Sequence, residues 1–291
     1  MITVLPNNSV SGNQTLTSQE TKEATAIIDF ISEGFESIGI GIGHADLQVI
    51  KYPGRGYPQF CSKLLNAELS ADLIYLDMDS FAYPNWCQFV YQFSHEFTHC
   101  VIHRCNNRNN QLVSWIEETI CEAMALILLK RFSEDWSKCS LSNSCPKYKT
   151  NFLCYLSNCL SEKGNYRLDH CNGFKELQEI NVTSEDQRED RREEMHQLYR
   201  LIQSADDIRG LCHYRDFLVP QTILLNTQRY QKAYLSSQPI HYLCRLQENA
   251  LMRDVPASKF SEKSSKDAKI DCSAHLHNCS NRTISDTSRS F

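Results

Sequence analysis

Apolar positions along the chain fall into helical spacing over long stretches and into short runs between them. Ala24, Ile27, Ile28, Ile31 and Phe35 make one stripe, with Glu20 and Glu23 suited to a first turn, so an amphipathic helix is expected over residues 18–35. Residues 47–52 and 73–76 are short strand candidates, with a turn at 53–57. A long helix is expected from Asn85, as its cap, to Arg104, ended by the polar stretch 106–110. Ser114-Trp-Ile-Glu117 has the form of a capping box, opening a helix that runs through Ile120, Ala123 and Ile127 to about Phe132.

Residues 133–173 are cysteine-rich and irregular, with room for one short helix at 151–162. A third long helix is expected from 183 or 184 to about 203, on a stripe of Met195, Leu198, Leu201 and Ile202, with shorter helices at 219–235 and 239–252. Residues 1–17 read as a disordered N-terminus and residues 256–291, rich in Ser, Lys and Asp, as a disordered polar tail. The fold class is therefore α+β: a small twisted sheet followed by a mainly helical body, folded over residues 18–255, with an edge strand expected at 73–76.

Composition narrows the classes of function. Hydrophobic residues make up 41% and charged residues 22%, which excludes collagen-like, coiled-coil and wholly disordered chains. The longest apolar run, around 123–129, is too short to span a bilayer. A net charge of −5 gives no electrostatic reason to expect nucleic acid or an anionic membrane. The first residues lack the charged and apolar regions of a secretory signal, which points to a cytoplasmic protein whose 14 cysteines are mostly free, buried thiols.

The chemistry concentrates in His95-Glu-Phe-Thr-His99, in the middle of the second expected helix. Two histidines at i and i+4 lie about 6 Å apart along one helix face and can share a metal ion. Glu96 projects beside that ion, placed to take a proton from water. Glu118 follows His99 after 18 residues, in the first turn of the next helix, and would supply the third ligand if that helix folds back. Glu122, one turn further, can hold the distal nitrogen of a ligand histidine. Rival third ligands are His103, about 12 Å from His95 on an unbroken helix, and Cys105. Cys139, Cys145, Cys154, Cys159 and Cys171 match no zinc module, and the grouping Cys272-Ser-Ala-His-Leu-His-Asn-Cys279 lies in the polar tail.

The motif of His95, Glu96 and His99, with Glu118 inside Trp115-Ile-Glu-Glu-Thr-Ile-Cys-Glu122, resembles the gluzincin group of zinc metallopeptidases over about 30 residues. The resemblance implies one zinc per chain on His95, His99 and Glu118, with Glu96 as general base and Glu122 behind a ligand. It also implies a downstream Tyr or His that polarises the carbonyl. His213 and Tyr214 are the candidates, followed by His241 and Tyr242. The family's usual Asn and Gly or Ala beside the third ligand are Glu117 and Thr119 here, and no G-x-M-E-N motif is present. The expected reaction is hydrolysis of a peptide or protein substrate, paired with the sheet edge, by Glu-assisted attack of zinc-bound water. Two alternatives stay open: an inactive zinc-binding interaction module on the same scaffold, and a zinc hydrolase of a non-peptide substrate.

Overall fold

A computed structural model describes residues 2–6, 16–41, 46–66, 68–106, 111–184 and 188–253. The expected disordered tail, with its Cys272–Cys279 grouping, lies outside the described residues. The described elements run β1 (Ile2–Pro6), α1 (Ser18–Ser37), β2 (Leu47–Lys51), β3 (Gln59–Cys61), β4 (Asp72–Leu76), α2 (Trp86–Cys105), α3 (Ser114–Asp135), α4 (Lys149–Ser161), α5 (Phe174–Thr183), α6 (Arg192–Leu201), α7 (Ala205–Cys212), α8 (Thr227–Ala233) and α9 (Gln238–Met252). The class is α+β, as the pattern implied. None of the described helices is long and apolar enough to cross a membrane.

The sheet has the order β1-β2-β4-β3. β1, β2 and β4 are parallel, and β3 runs antiparallel to β4 at the edge. Two expectations are corrected here. The first residues are not all disordered: β1 pairs with β2 from Ile2 opposite Leu47 to Pro6 opposite Lys51, and Ile2 and Val4 pack against the core. The short run Ile2-Thr-Val-Leu-Pro6 was hidden in the polar average of the first 17 residues. Residues 73–76 are also not an edge, because β4 lies between β2 and β3. The edge is β3, too short to show any periodicity of its own.

α1 is opened by Thr17, whose hydroxyl accepts from the Glu20 N–H while the Glu20 carboxylate accepts from Thr17 N–H, a reciprocal cap. Glu20 also accepts from Lys51 Nζ at 2.8 Å and from Phe81 N–H at 3.2 Å, and Glu23 from Tyr83 N–H and Trp86 Nε1 at 2.8 and 2.7 Å. These buried carboxylates tie α1 to the sheet and to the start of α2. On α2 the rings of Phe89, Phe93 and Phe97 stack at 5.8 and 5.0 Å, one buried column per helical turn.

The caps of the two central helices differ from expectation. Asn85 makes no side-chain cap bond. Ser114 and Glu117 form no capping box: Val113 occupies the cap position, and the Glu117 side chain turns inward to buried partners. The third long helix is two: α5 ends at Thr183, and a 3₁₀ turn, Arg188–Arg191, precedes α6. Buried Arg191 reaches back to the Ser184 carbonyl and folds the chain on itself. The helix expected over 219–235 begins only at Thr227, capped by Asn226, because Leu218 and Leu225 form a β-bridge before it. No disulfide joins the twelve described cysteines.

Candidate metal centre

Contacts between α2 and α3 run in opposite order along the two helices: Tyr91 meets Glu122, His95 meets Glu118, and His99 meets Glu117. The helices are therefore antiparallel, and the expected fold-back of Glu118 is present. His95 Nε2 lies 3.2 Å from Glu118 Oε2, and His99 Nε2 lies 3.2 Å from Glu118 Oε1. One donor atom from each of His95, His99 and Glu118 lies within 4.8 Å of the others. Two ligand bonds of ~2.0 Å at a tetrahedral angle separate their donors by roughly 3.3 Å, so the spacing suits one small divalent ion with N and O ligands.

A second carboxylate lies behind each imidazole. His95 Nδ1 lies 3.3 Å from Glu122 Oε2, and Tyr91 donates its hydroxyl to the other Glu122 oxygen. His99 Nδ1 donates to Glu117 Oε1 at 2.9 Å. Glu117 Oε2 in turn accepts from Tyr214 Oη at 2.6 Å and from Arg215 Nη2 and Nε at 2.7 and 3.1 Å. With a metal bound, the Glu117 carboxylate on Nδ1 would keep the ring proton there and leave Nε2 of His99, as a lone pair, toward the shared position.

Burial alone would push the Glu118 and Glu117 carboxyls up. The two imidazoles outweigh it at Glu118 and hold that group well below the usual range; His99 and Arg215 lower Glu117. Burial would likewise push His99 down, but the Cys121 sulfur and the Glu118 and Glu117 carboxylates hold it well above its ordinary value. Glu96, Glu117, Glu118 and Glu122 are all buried, and Arg215 is a buried cation among them. A metal ion bound there would take the place of the proton that these carboxylates draw onto His99. The donor set fits a dication.

A cleft of about 670 Å³ opens over this group. Its floor includes Glu96, His99 and His103 of α2, and one wall is β3 with the turn before it. Glu96 is 3% exposed, and its Oε1 is buried without a hydrogen-bond partner among the described residues.

Other expected site residues lie elsewhere. Tyr214 is fully buried, and its hydroxyl is engaged by Glu117; burial and that carboxylate push the phenol well above its ordinary pKa, so it stays a donor to Glu117 rather than to a substrate. His213 is half-exposed, 3.5 Å from Asp216, and does not line the cleft. His241 reaches the Leu235 carbonyl at the surface, and Tyr242 is buried beside Arg245. His103, whose Nε2 meets Ser62 Oγ at 2.9 Å, and Cys105 are not part of the metal group found among the described residues. Tyr91 and Glu117 escaped the sequence reading although a signal existed: once His95 is set opposite Glu118, antiparallel register carries Tyr91 to Glu122 and Glu117 to His99. Arg215 gave no local signal, because 98 positions separate it from Glu117.

Comparison with protein-family models, with curated proteins and with solved structures returned no match.

Proposed function

We propose that the chain is a zinc-dependent peptidase of the gluzincin type, hydrolysing peptide bonds in the cleft beside His99. The observation that supports this most directly is Glu96. Its Oε1 lies buried at the cleft without a hydrogen-bond partner among the described residues, one residue from a metal-group histidine. A buried carboxylate oxygen left unpaired is costly, and its retention there is accounted for by a proton that it must accept from something bound in the cleft. Zinc held by His95, His99 and Glu118 would polarise the scissile carbonyl and bring the pKa of water toward ~7. Glu96 takes the proton of the attacking water and passes it to the leaving amine nitrogen. Glu117 and Glu122 keep the two imidazoles turned toward the shared position. Among the described residues β3 has no partner strand on its side away from β4, and residues of β3 line the cleft, which suits an extended peptide.

Zinc-loaded protein incubated with a mixed peptide library, read by mass spectrometry, should cleave within extended segments. Glu96→Gln should keep its zinc and lose at least ~10²-fold in rate, since glutamine is nearly isosteric but not a base. A parent that holds zinc yet cleaves nothing would favour the interaction-module alternative. A variant as active as the parent would remove Glu96 from its role.

A further inference from the structure

His103 and Arg104 follow the metal-group histidines on α2 and grip both ends of the connection from β3 to β4. Ser62, the first residue after β3, brings its Oγ within 2.9 Å of His103 Nε2. The same oxygen accepts from Leu64 N–H at 3.2 Å, which leaves the hydroxyl proton for the imidazole. Within β3, the Phe60 ring lies 6.1 Å from the His103 ring, centroid to centroid. At the far end, Arg104 Nη2 meets Asp72 Oδ2 at 3.0 Å, and Asp72 Oδ1 accepts from Lys63 N–H at 3.0 Å. Ser62, His103 and Asp72 are all buried. Burial, with the Arg215 guanidinium adding to it, holds the His103 imidazole below its ordinary pKa, so the ring is neutral and open to the Ser62 hydroxyl.

A three-residue edge strand, hydrogen-bonded to the sheet on one side only, is weakly located by its own backbone. The metal group sits on α2 and α3, whereas the proposed peptide edge sits on β3. We infer that His103 is a positioning residue: through Ser62 it sets the height of the β3 edge above Glu96 and His99, so that a peptide paired with β3 presents its carbonyl to the metal group. The inference rests on the peptidase reading above. Its physical weight comes from alignment, because a misplacement of about 1 Å between substrate and catalytic groups costs ~10²-fold in rate. His103 lies one helical turn beyond His99 on the same face, about 6 Å along the axis. A change in its side chain therefore moves the wall without touching a donor of the metal group.

The test uses the full chain loaded with zinc and two probes read by equilibrium titration. Acetohydroxamate engages the metal alone; a tripeptide hydroxamate adds an extended backbone. The parent should bind the tripeptide probe at least ~10-fold more tightly, a difference of about 1.4 kcal/mol. Ser62→Ala and His103→Phe should keep one zinc and their acetohydroxamate affinity, and lose most of that ~10-fold preference. His103→Gln, whose amide reaches the position of Nε2, should restore it. Ser62→Ala removes one oxygen only and carries the test if His103→Phe fails to fold. Variants that keep the full preference would overturn the inference, as would variants that lose zinc and both probes together, the mark of a merely structural contact. A parent without zinc would instead show that the metal reading had failed. A zinc-loaded parent that binds both probes equally would show that the strand-pairing reading had failed. The inference falls with either.

Discussion

A carboxylate buried against an imidazole does different work depending on what lies behind it. Glu117 has a guanidinium and a phenol behind it, so it remains an anion and turns His99 Nδ1 outward. Losing such an orienting partner typically costs 10- to 100-fold in metal affinity, so Tyr214→Phe and Glu117→Gln should weaken zinc binding, the second by about that amount. Glu117→Gln also leaves Arg215 buried beside a neutral amide, a loss of roughly 3–5 kcal/mol of stability. Chelator competition and urea unfolding of the zinc-free protein separate the two effects. If zinc affinity is unchanged in both variants, Glu117 does not orient His99. At this scale His95 and His99 were legible because helical period alone places i and i+4 on one face, and Glu118 because the next helix was expected to fold back on them. Tyr214 was expected to polarise a substrate carbonyl, and its hydroxyl is instead engaged by Glu117. Its neighbours in sequence say nothing of Glu117, 97 positions away.

The antiparallel pair α2 and α3 carries the whole donor set, and its fit depends on the buried aromatic column beneath it. Phe93 is fully buried between Phe89 and Phe97. Phe93→Ala should cost about 3–5 kcal/mol in urea unfolding, by loss of transfer energy and a residual cavity. A cost under 1 kcal/mol would mean that the column does not hold α2 in place. Glu194 on α6 gives the fold a pH dependence. Its Oε1 accepts from Leu168 and Asp169 N–H at 2.8 and 3.0 Å, yet burial pushes its carboxyl up from 4.5 to about 7. The folded state therefore holds this proton over a range where the unfolded chain has released it. Its contribution is fully present below pH 4.5 and is lost as pH rises toward about 7, by up to roughly 3 kcal/mol. Glu194→Gln should flatten that fall and be more stable than the parent at pH 8; an unchanged pH profile would contradict the assignment. Helices of this length announce themselves through their stripes. β1 and β3 did not, since five and three residues carry too little pattern, and the caps misled because Glu117 found stronger partners than its own helix.

For the molecule as a whole, the sheet and the helical pair meet at one cleft, with β3 as its wall and the metal group at its floor. The α+β class and the position of the site on α2 followed from the order of strand-like and helix-like stretches. The identity of the edge strand did not, because strand order depends on pairings between segments far apart in sequence. Hydrolysis at this cleft would depend on a zinc ion held by His95, His99 and Glu118. Metal analysis of protein purified without added zinc should find close to one equivalent per chain, and His95→Ala, His99→Ala and Glu118→Ala should each lose it while His103→Ala keeps it. A content near zero in the parent, or an equivalent retained by Glu118→Ala and lost by His103→Ala, would contradict it.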